Sequence, residues 1–128
     1  MDVNSLTGRI IGAAIDVHKA LGPGLLETVY EECLCYELAS RNIQFRRQYR
    51  LPIRYKEVYI ECGYRIDILV ENRIVLELKA VEKLTALHEA QLLSYLKSGG
   101  WDIGFLINFN VPVLKQGVKR KVLNLHRN

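Results

Sequence analysis

Residues 63–80, GYRIDILVENRIVLELKA, read as two strands joined by a short turn at Glu71–Asn72. A hairpin that turns there places residue 67 almost opposite residue 77. Asp67 and Glu77 are then expected to meet across the two strands, with Lys79 one step further along the face of Glu77. Alternation also predicts two sets of aliphatic side chains, each sharing one face: Ile66, Ile68 and Val70 on the first strand, and Ile74, Leu76 and Leu78 on the second.

The three charged side chains of this segment suggest a chemical role. Two carboxylates held close together repel each other unless a proton or a cation lies between them. Hard oxygen ligands in a site that keeps water suit Mg²⁺ or Mn²⁺, and an adjacent lysine can orient a water and stabilise charge on a phosphate. Asp67, Glu77 and Lys79 therefore form a candidate site for phosphodiester hydrolysis. The alternative is a surface Glu77–Lys79 pair beside an unrelated Asp67.

The rest of the chain alternates between helical and strand-like periodicity. Helices are predicted over residues 5–20, 25–41 and 84–98, and strands over residues 43–51, 53–60, 63–70, 73–80, 101–109 and 118–125. Pro52 allows a bend or an edge position, and Lys56–Glu57 is the expected turn of the strand over 53–60. The resulting order, α–α–β–β–β–β–α–β–β, predicts an α/β or α+β sheet flanked by helices.

Length and composition favour one soluble domain spanning residues 1–128. Apolar residues make up 49% of the chain, which is enough for a core. There is no apolar run of membrane-spanning length and no secretion signal, so a cytoplasmic protein is expected. Cys33, Cys35 and Cys62 are odd in number and lack CxxC spacing, which predicts reduced, structural thiols.

The net charge of +4 is unevenly distributed. Residues 41–56 and 115–127 contain basic side chains and no acid, whereas the acids collect in 27–37 and 57–89. Arg47 falls on the apolar side of its strand, which places it at the rim or directs it at a charged group. The alternative to a phosphate-contacting surface is a pair of solvated strand faces. The candidate nucleic-acid contacts are Arg46, Arg47, Arg50, Lys119 and Lys121.

Two motifs resemble those of a known enzyme group. Asp67, nine intervening residues and Glu77-Leu78-Lys79 resemble the D…(D/E)xK signature of the PD-(D/E)XK nuclease superfamily. The predicted elements look like its αβββαβ core with an extra N-terminal helix and C-terminal strand. The stretch GPGLLETVY contains a GxxExxY pattern, and residues 6 to about 122 are similar to the small bacterial and archaeal GxxExxY proteins of that superfamily.

The resemblance implies roles for the residues of the hairpin. Asp67, Glu77 and the backbone carbonyl of Leu78 would bind Mg²⁺ or Mn²⁺, and Lys79 would be the catalytic lysine. Glu27, of the GxxExxY pattern, would be a further acid near the metal. The alternative for Glu27 is an ordinary first-turn acid that complements the helix dipole.

Gln91 and Tyr95 resemble the QxxxY element of the exonuclease-like branch of the superfamily. Their i, i+4 spacing directs both side chains to one face of the third helix. Packing is the favoured alternative for Tyr95 and for Tyr30, and His88 is expected to be a satisfied or solvated histidine. The resemblance thus implies a metal-dependent nuclease that acts on DNA, or alternatively on RNA. A nuclease of 128 residues has little surface for specificity, so action as a homodimer or with a partner protein is expected. The alternative is a silent nucleic-acid-binding or protein-interaction module on the same fold.

Overall fold

The computed structural model describes residues 1–123, apart from the side chain of Cys62. The last residues of the strand predicted over 118–125 therefore lie outside the described part. The elements are α1 (Val3–Leu21), α2 (Glu27–Ser40), β1 (Phe45–Tyr55), β2 (Val58–Val70), β3 (Ile74–Lys79), α3 (Ala86–Gly99), β4 (Ile103–Asn108) and β5 (Val118–Val122), with a short 3-10 helix at Leu114–Gly117.

The five described strands form one mixed sheet in the order β1–β2–β3–β4–β5. The pairing is antiparallel except between β3 and β4, which run parallel and are connected through α3. A parallel pair needs such a crossover, because a short turn cannot return the chain to the starting edge. The predicted αβββαβ core, with α1 and β5 added at its ends, is confirmed.

Helices cover both faces of the sheet. α1 and α2 pack on one face, where they bury the aliphatic side chains of β3 and β4 that point toward them. α3 packs on the other face through Leu92, Tyr95 and Leu96. The nearly continuous apolar sequence of β4 follows from this arrangement, since a strand covered on both faces has no solvated side.

The separate strand predicted over residues 53–60 is wrong, whereas the turn predicted at Lys56–Glu57 is confirmed. β1 runs without a break through Pro52 to Tyr55, and the chain turns at Lys56, whose φ is 54°. Pro52 is tolerated because β1 is an edge strand, where a missing N–H costs no ladder bond. The pairing with β2 shifts register between Leu51 and Ile53, so the proline bends the strand without ending it.

The turn between β2 and β3 falls where the sequence places it. Glu71 and Asn72 both have φ near 53°, and the Arg73 N–H donates to the Val70 carbonyl at 2.9 Å. Positive φ at both central residues matches the twist of a hairpin. The predicted face of β3 is confirmed, because its aliphatic side chains pack against α1 and α2.

The predicted face of Ile66 is wrong. Ile66 packs with Leu69 on the α3 side of the sheet, whereas Ile68 packs on the side of α1 and α2. The regular alternation of β2 is interrupted at Asp67, which lies across from Gln48 of β1. Gln48 has φ of 49°, and the strands pair on either side of it but not at it. A left-handed residue in the neighbouring strand therefore changes the direction of the side chains at Asp67.

The cysteines and the length of the helices can be compared with what the composition predicts. Cys33 and Cys35 are free thiols, and burial raises the pKa of the Cys35 thiol to about 12. Within residues 1–123 no helix is long and apolar enough to cross a membrane.

Candidate active site where two strands part

Asp67 and Glu77 meet at the point where β2 and β3 separate. The ladder between these strands joins residues 68–70 to residues 74–76, and its register places Asp67 opposite Glu77, as predicted. At this point the two carboxylates accept hydrogen bonds from backbone N–H groups, in place of the backbone carbonyls of a regular ladder. The Asp67 N–H donates to Glu77 Oε2 at 2.8 Å, and the Leu78 N–H donates to Asp67 Oδ2 at 2.8 Å. We call this arrangement of Asp67 and Glu77 the strand fork.

The carboxylates of the strand fork are held in an environment that disfavours their charge. Glu77 is only 5% exposed, and burial followed by the charge of Asp67 raises its pKa to about 8. Burial is also the main cause that raises the pKa of Asp67, and the charges of Glu31 and Glu27 act in the same direction. A bound cation would remove this penalty, because opposite charge favours the ionised form.

Lys79 is the last residue of β3 and lies beside the strand fork. Its charge lowers the pKa of both Asp67 and Glu77, although burial outweighs this effect. The Phe109 N–H donates to the Lys79 carbonyl at 2.9 Å, which fixes the backbone of the lysine against β4. The ammonium group is thus carried on a rigid strand end, two residues beyond the buried carboxylate of Glu77.

Glu27 is the first residue of α2, and the loop before the helix directs it toward the end of β3. Glu27 Oε2 accepts a hydrogen bond of 3.4 Å from the Ala80 N–H. The chain enters α2 through Gly24, whose φ of 99° favours glycine. The Tyr30 hydroxyl donates to the Gly22 carbonyl at 2.6 Å and accepts from the Leu25 N–H at 3.1 Å.

Tyr30 is a packing residue, as expected. It is fully buried, and its ring stacks on Phe109 with the centroids 4.4 Å apart. The tyrosine therefore fixes the loop that places Glu27, and it contacts neither carboxylate of the strand fork.

A family model of the PD-(D/E)XK nuclease superfamily matches residues 4–121. The chain belongs to this superfamily. The match covers every element from α1 to β5 and includes the strand fork. No curated protein and no solved structure gives a significant match to the chain.

Enzymes of this superfamily typically use divalent cations. In the described part of the chain, no three His, Cys, Asp or Glu side chains lie close enough together to hold a metal by themselves. Asp67 and Glu77 supply two carboxylates, and each uses one oxygen for a backbone N–H. Two carboxylates with remaining positions for water and a backbone carbonyl suit Mg²⁺, which keeps several waters when bound to protein. The residues present therefore fit a hydrated divalent cation.

Glu31 is a buried acid near the strand fork that sequence reasoning missed. Arg47 donates to Glu31 Oε2 at 2.8 Å and 3.2 Å and to Glu32 Oε1 at 3.0 Å. Gln48 donates to Glu31 Oε1 at 2.7 Å. The expectation that Arg47 is directed at a charged group is confirmed. The signal for Glu31 was its i, i+4 spacing from Glu27, which places both acids on one face of α2.

α3 brings one of its two predicted residues close to the acids. Tyr95 is buried, its ring lies 4.8 Å from that of Tyr64, and its pKa is raised to about 12 by burial and by the charges of Glu77 and Asp67. Gln91 is exposed one turn earlier on the helix, and no contact in the described residues joins it to the strand fork.

His88 is a satisfied histidine, as expected. The ring Nδ1 of His88 accepts from the backbone N–H of Thr85 at 3.0 Å, and the backbone N–H of His88 donates to the Thr85 hydroxyl at 3.3 Å. The two residues form a capping box that starts α3.

The two basic stretches lie at opposite edges of the sheet, on β1 and β5. On β5, Lys119 and Lys121 both pair with Glu89 of α3. On β1, the guanidinium of Arg46 lies 5.7 Å from the centre of the Tyr49 ring, and Arg50 is exposed. The predicted nucleic-acid contacts thus differ, because Lys119 and Lys121 are paired with an acid, whereas Arg46 and Arg50 form no ion pair with the described residues.

Proposed function

We propose that this protein is a metal-dependent nuclease that hydrolyses phosphodiester bonds of DNA or RNA. The observation that carries the proposal is the strand fork, where two buried carboxylates meet with a lysine two residues along the same strand. The burial of like charges destabilises the folded chain unless a proton or a cation compensates them. Carboxylates with strongly raised pKa values are therefore common at functional sites. The superfamily match over residues 4–121 supports the same chemistry.

Each residue of the site has a proposed role. Asp67, Glu77 and the carbonyl of Leu78 hold Mg²⁺ or Mn²⁺, and Glu27 supplies a further acid beside the end of β3. A divalent cation bound there supplies a nucleophilic water at neutral pH and neutralises charge on the phosphate. Lys79 orients the attacking water and stabilises negative charge as the phosphodiester is broken.

Residues around the site are proposed to position the substrate. Tyr95 lines the α3 side of the strand fork, and Gln91 on the same helix contacts the substrate strand. Arg46 and Arg50 on β1, and Lys119 and Lys121 on β5, contact phosphates without reading bases. Arg47 supports the site indirectly, because its charge is taken up by Glu31 and Glu32.

We also propose that the protein is a GxxExxY protein of this superfamily. The motif has a structural use in this chain, since Gly24 has positive φ, Tyr30 fixes the loop and Glu27 reaches the end of β3. A cytoplasmic location, a single domain over residues 1–128, and action as a homodimer or with a partner protein are part of the proposal.

Calorimetric titration with Mn²⁺ beside a cleavage assay tests this function. The parent should bind Mn²⁺ and cleave at least one of four substrates, single- or double-stranded DNA or RNA. Asp67→Ala should lose both properties. Lys79→Ala should keep metal binding and lose at least about 100-fold in cleavage rate, the usual minimum for removal of a group that assists proton transfer. The exposed Lys97, in the last turn of α3, provides the control Lys97→Ala.

The outcomes separate the alternatives. Equal Mn²⁺ binding by the parent and Asp67→Ala would show that the strand fork is not the metal site. Metal binding by the parent without cleavage of any substrate would favour a silent binding module on the same fold.

A further inference from the structure

Arg50 of β1 and Arg65 of β2 lie directly opposite each other in the sheet. Both side chains are exposed, and both are carried by the ribbon that β1 and β2 form beyond the end of β3. Side chains directly opposite on antiparallel strands are close neighbours, and like charges in such a pair are destabilising. The sequence therefore maintains an unfavourable pair at this position of the unliganded protein.

No acid neutralises this pair within residues 1–123. Neither guanidinium takes part in an ion pair or a hydrogen bond to the described residues. The neighbouring Arg47 pairs with two acids, and the lysines of β5 share a third. Arg50 and Arg65 thus carry positive charge that no acid of the described residues compensates.

A cleft opens between the two arginines. It has a volume of about 270 Å³ and is lined by Arg50, Gly63, Tyr64 and Arg65. Gly63 is required there because a Cβ would lie 2.2 Å from Cγ1 of Ile53, which packs against it from β1. We call this feature the arginine cleft. Its two guanidinium groups suit a tetrahedral oxyanion, which arginine binds with two parallel hydrogen bonds, and the cleft is large enough to admit one.

The arginine cleft is close to the strand fork. Arg65 lies two residues before Asp67 on β2, and two residues of strand span about 7 Å. Tyr64, which lines the cleft, contacts the ring of Tyr95 of α3. A phosphate in the cleft is therefore near enough to the carboxylates to belong to the same stretch of bound strand, a few nucleotides away.

We propose that Arg50 and Arg65 together bind one phosphate group, and that this group is a phosphodiester of the strand to be cleaved. The anion site itself stands on the two arginines and the cleft. The identity of the phosphate as part of a nucleic acid rests on the proposed function. Nothing in the superfamily match assigns this cleft.

Thermal denaturation in EDTA tests the anion site without a nucleic acid. Inorganic phosphate, compared with sodium chloride of equal ionic strength, should raise the Tm of the parent more than that of Arg50→Gln or Arg65→Gln. In chloride alone, each variant should melt at or above the Tm of the parent, because the like-charge contact is gone. Lys97→Gln removes the same charge elsewhere and should respond to phosphate as the parent does. Equal phosphate responses in all four proteins would overturn the proposal.

Binding of a fluorescent single-stranded oligonucleotide, in EDTA and 50–200 mM chloride, tests the phosphodiester. Each single variant should make the slope of log K against log salt less negative by up to about 0.7, the value for one phosphate contact on a single strand. The double variant should change the slope by no more than either single variant, because both side chains bind the same phosphate. A double variant with twice the effect would refute a shared phosphate.

The two arms have separate meanings. A phosphate response that depends on the arginines, without oligonucleotide binding by the parent, supports a free-phosphate site and contradicts the nucleic-acid substrate. Oligonucleotide binding that the arginine variants leave unchanged contradicts the cleft and leaves the proposed nuclease activity standing.

Discussion

Glu77→Gln should change how the stability of the metal-free protein depends on pH. In the folded state the pKa of Glu77 is about 8, against an ordinary value of 4.5, because the carboxyl is buried beside Asp67. Glutamine keeps an oxygen that can accept the Asp67 N–H and cannot be ionised. The substitution therefore imitates the protonated acid at every pH.

The sign follows from the raised pKa. Below pH 4.5 the carboxyl is protonated in both the folded and the unfolded chain, so Glu77 does not reduce the free energy of unfolding there. Between pH 4.5 and about 8 the unfolded chain loses this proton while the folded chain retains it, and the free energy of unfolding falls. At about 1.4 kcal/mol per pH unit, the loss relative to Glu77→Gln reaches up to ~5 kcal/mol. A loss of this size is comparable with the whole stability of many domains, about 5–15 kcal/mol.

Urea denaturation in EDTA from pH 4.5 to pH 9 measures the effect, with the fluorescence of Trp101, the single tryptophan, as the signal. The parent and Glu77→Gln should have similar stability at pH 4.5 and diverge as pH rises, with the variant more stable at pH 9. The exposed Glu82 gives the control Glu82→Gln, which should follow the parent. A constant difference between parent and Glu77→Gln over this range would refute the burial argument.

Three further substitutions test how the site is supported, each by urea denaturation at pH 5. Tyr30→Phe removes a hydroxyl that makes two backbone hydrogen bonds and should cost about 1–3 kcal/mol; an unchanged stability would show that the ring alone holds the loop. Gly24→Ala should lower the free energy of unfolding by about 1 kcal/mol or more, because the φ of Gly24 is 99°. The control is Gly8→Ala, in an exposed turn of α1 with open space around it, which should raise the free energy of unfolding by up to about 1 kcal/mol. Asn108→Ala removes a buried amide that exchanges two hydrogen bonds with Val81 and should cost about 2–3 kcal/mol, and a smaller loss would mean that the loop after β3 does not depend on it.

The sequence predicts the elements whose periodicity agrees with their environment. The hairpin from β2 to β3 has a turn at Glu71 and Asn72 and a clear alternation on β3, so the meeting of Asp67 and Glu77 follows from counting residues. The crossover from β3 to β4 follows from a helical pattern between two apolar strands. The superfamily match then agrees with an architecture already implied by local patterns.

Other features depend on contacts between distant residues and leave no periodic signal. Gln48 has a φ of 49° and its side-chain amide donates to Glu31 of α2, and no local pattern predicts either feature. The reversed face of Ile66 follows from the same interruption. Pro52 is compatible with a bend inside one edge strand and with a break between two strands, so the sequence alone does not show that β1 is continuous.

The position of β2 has a consequence for where a bound strand is cut. A single continuous strand carries Arg65 of the arginine cleft and Asp67 of the strand fork. If the proposed phosphate site and the proposed metal site act on one strand, the offset between the bound phosphate and the broken bond is set by β2 and not by a loop. Products from substrates of different sequence should then share the same number of nucleotides between the phosphate bound by the arginines and the newly cut end.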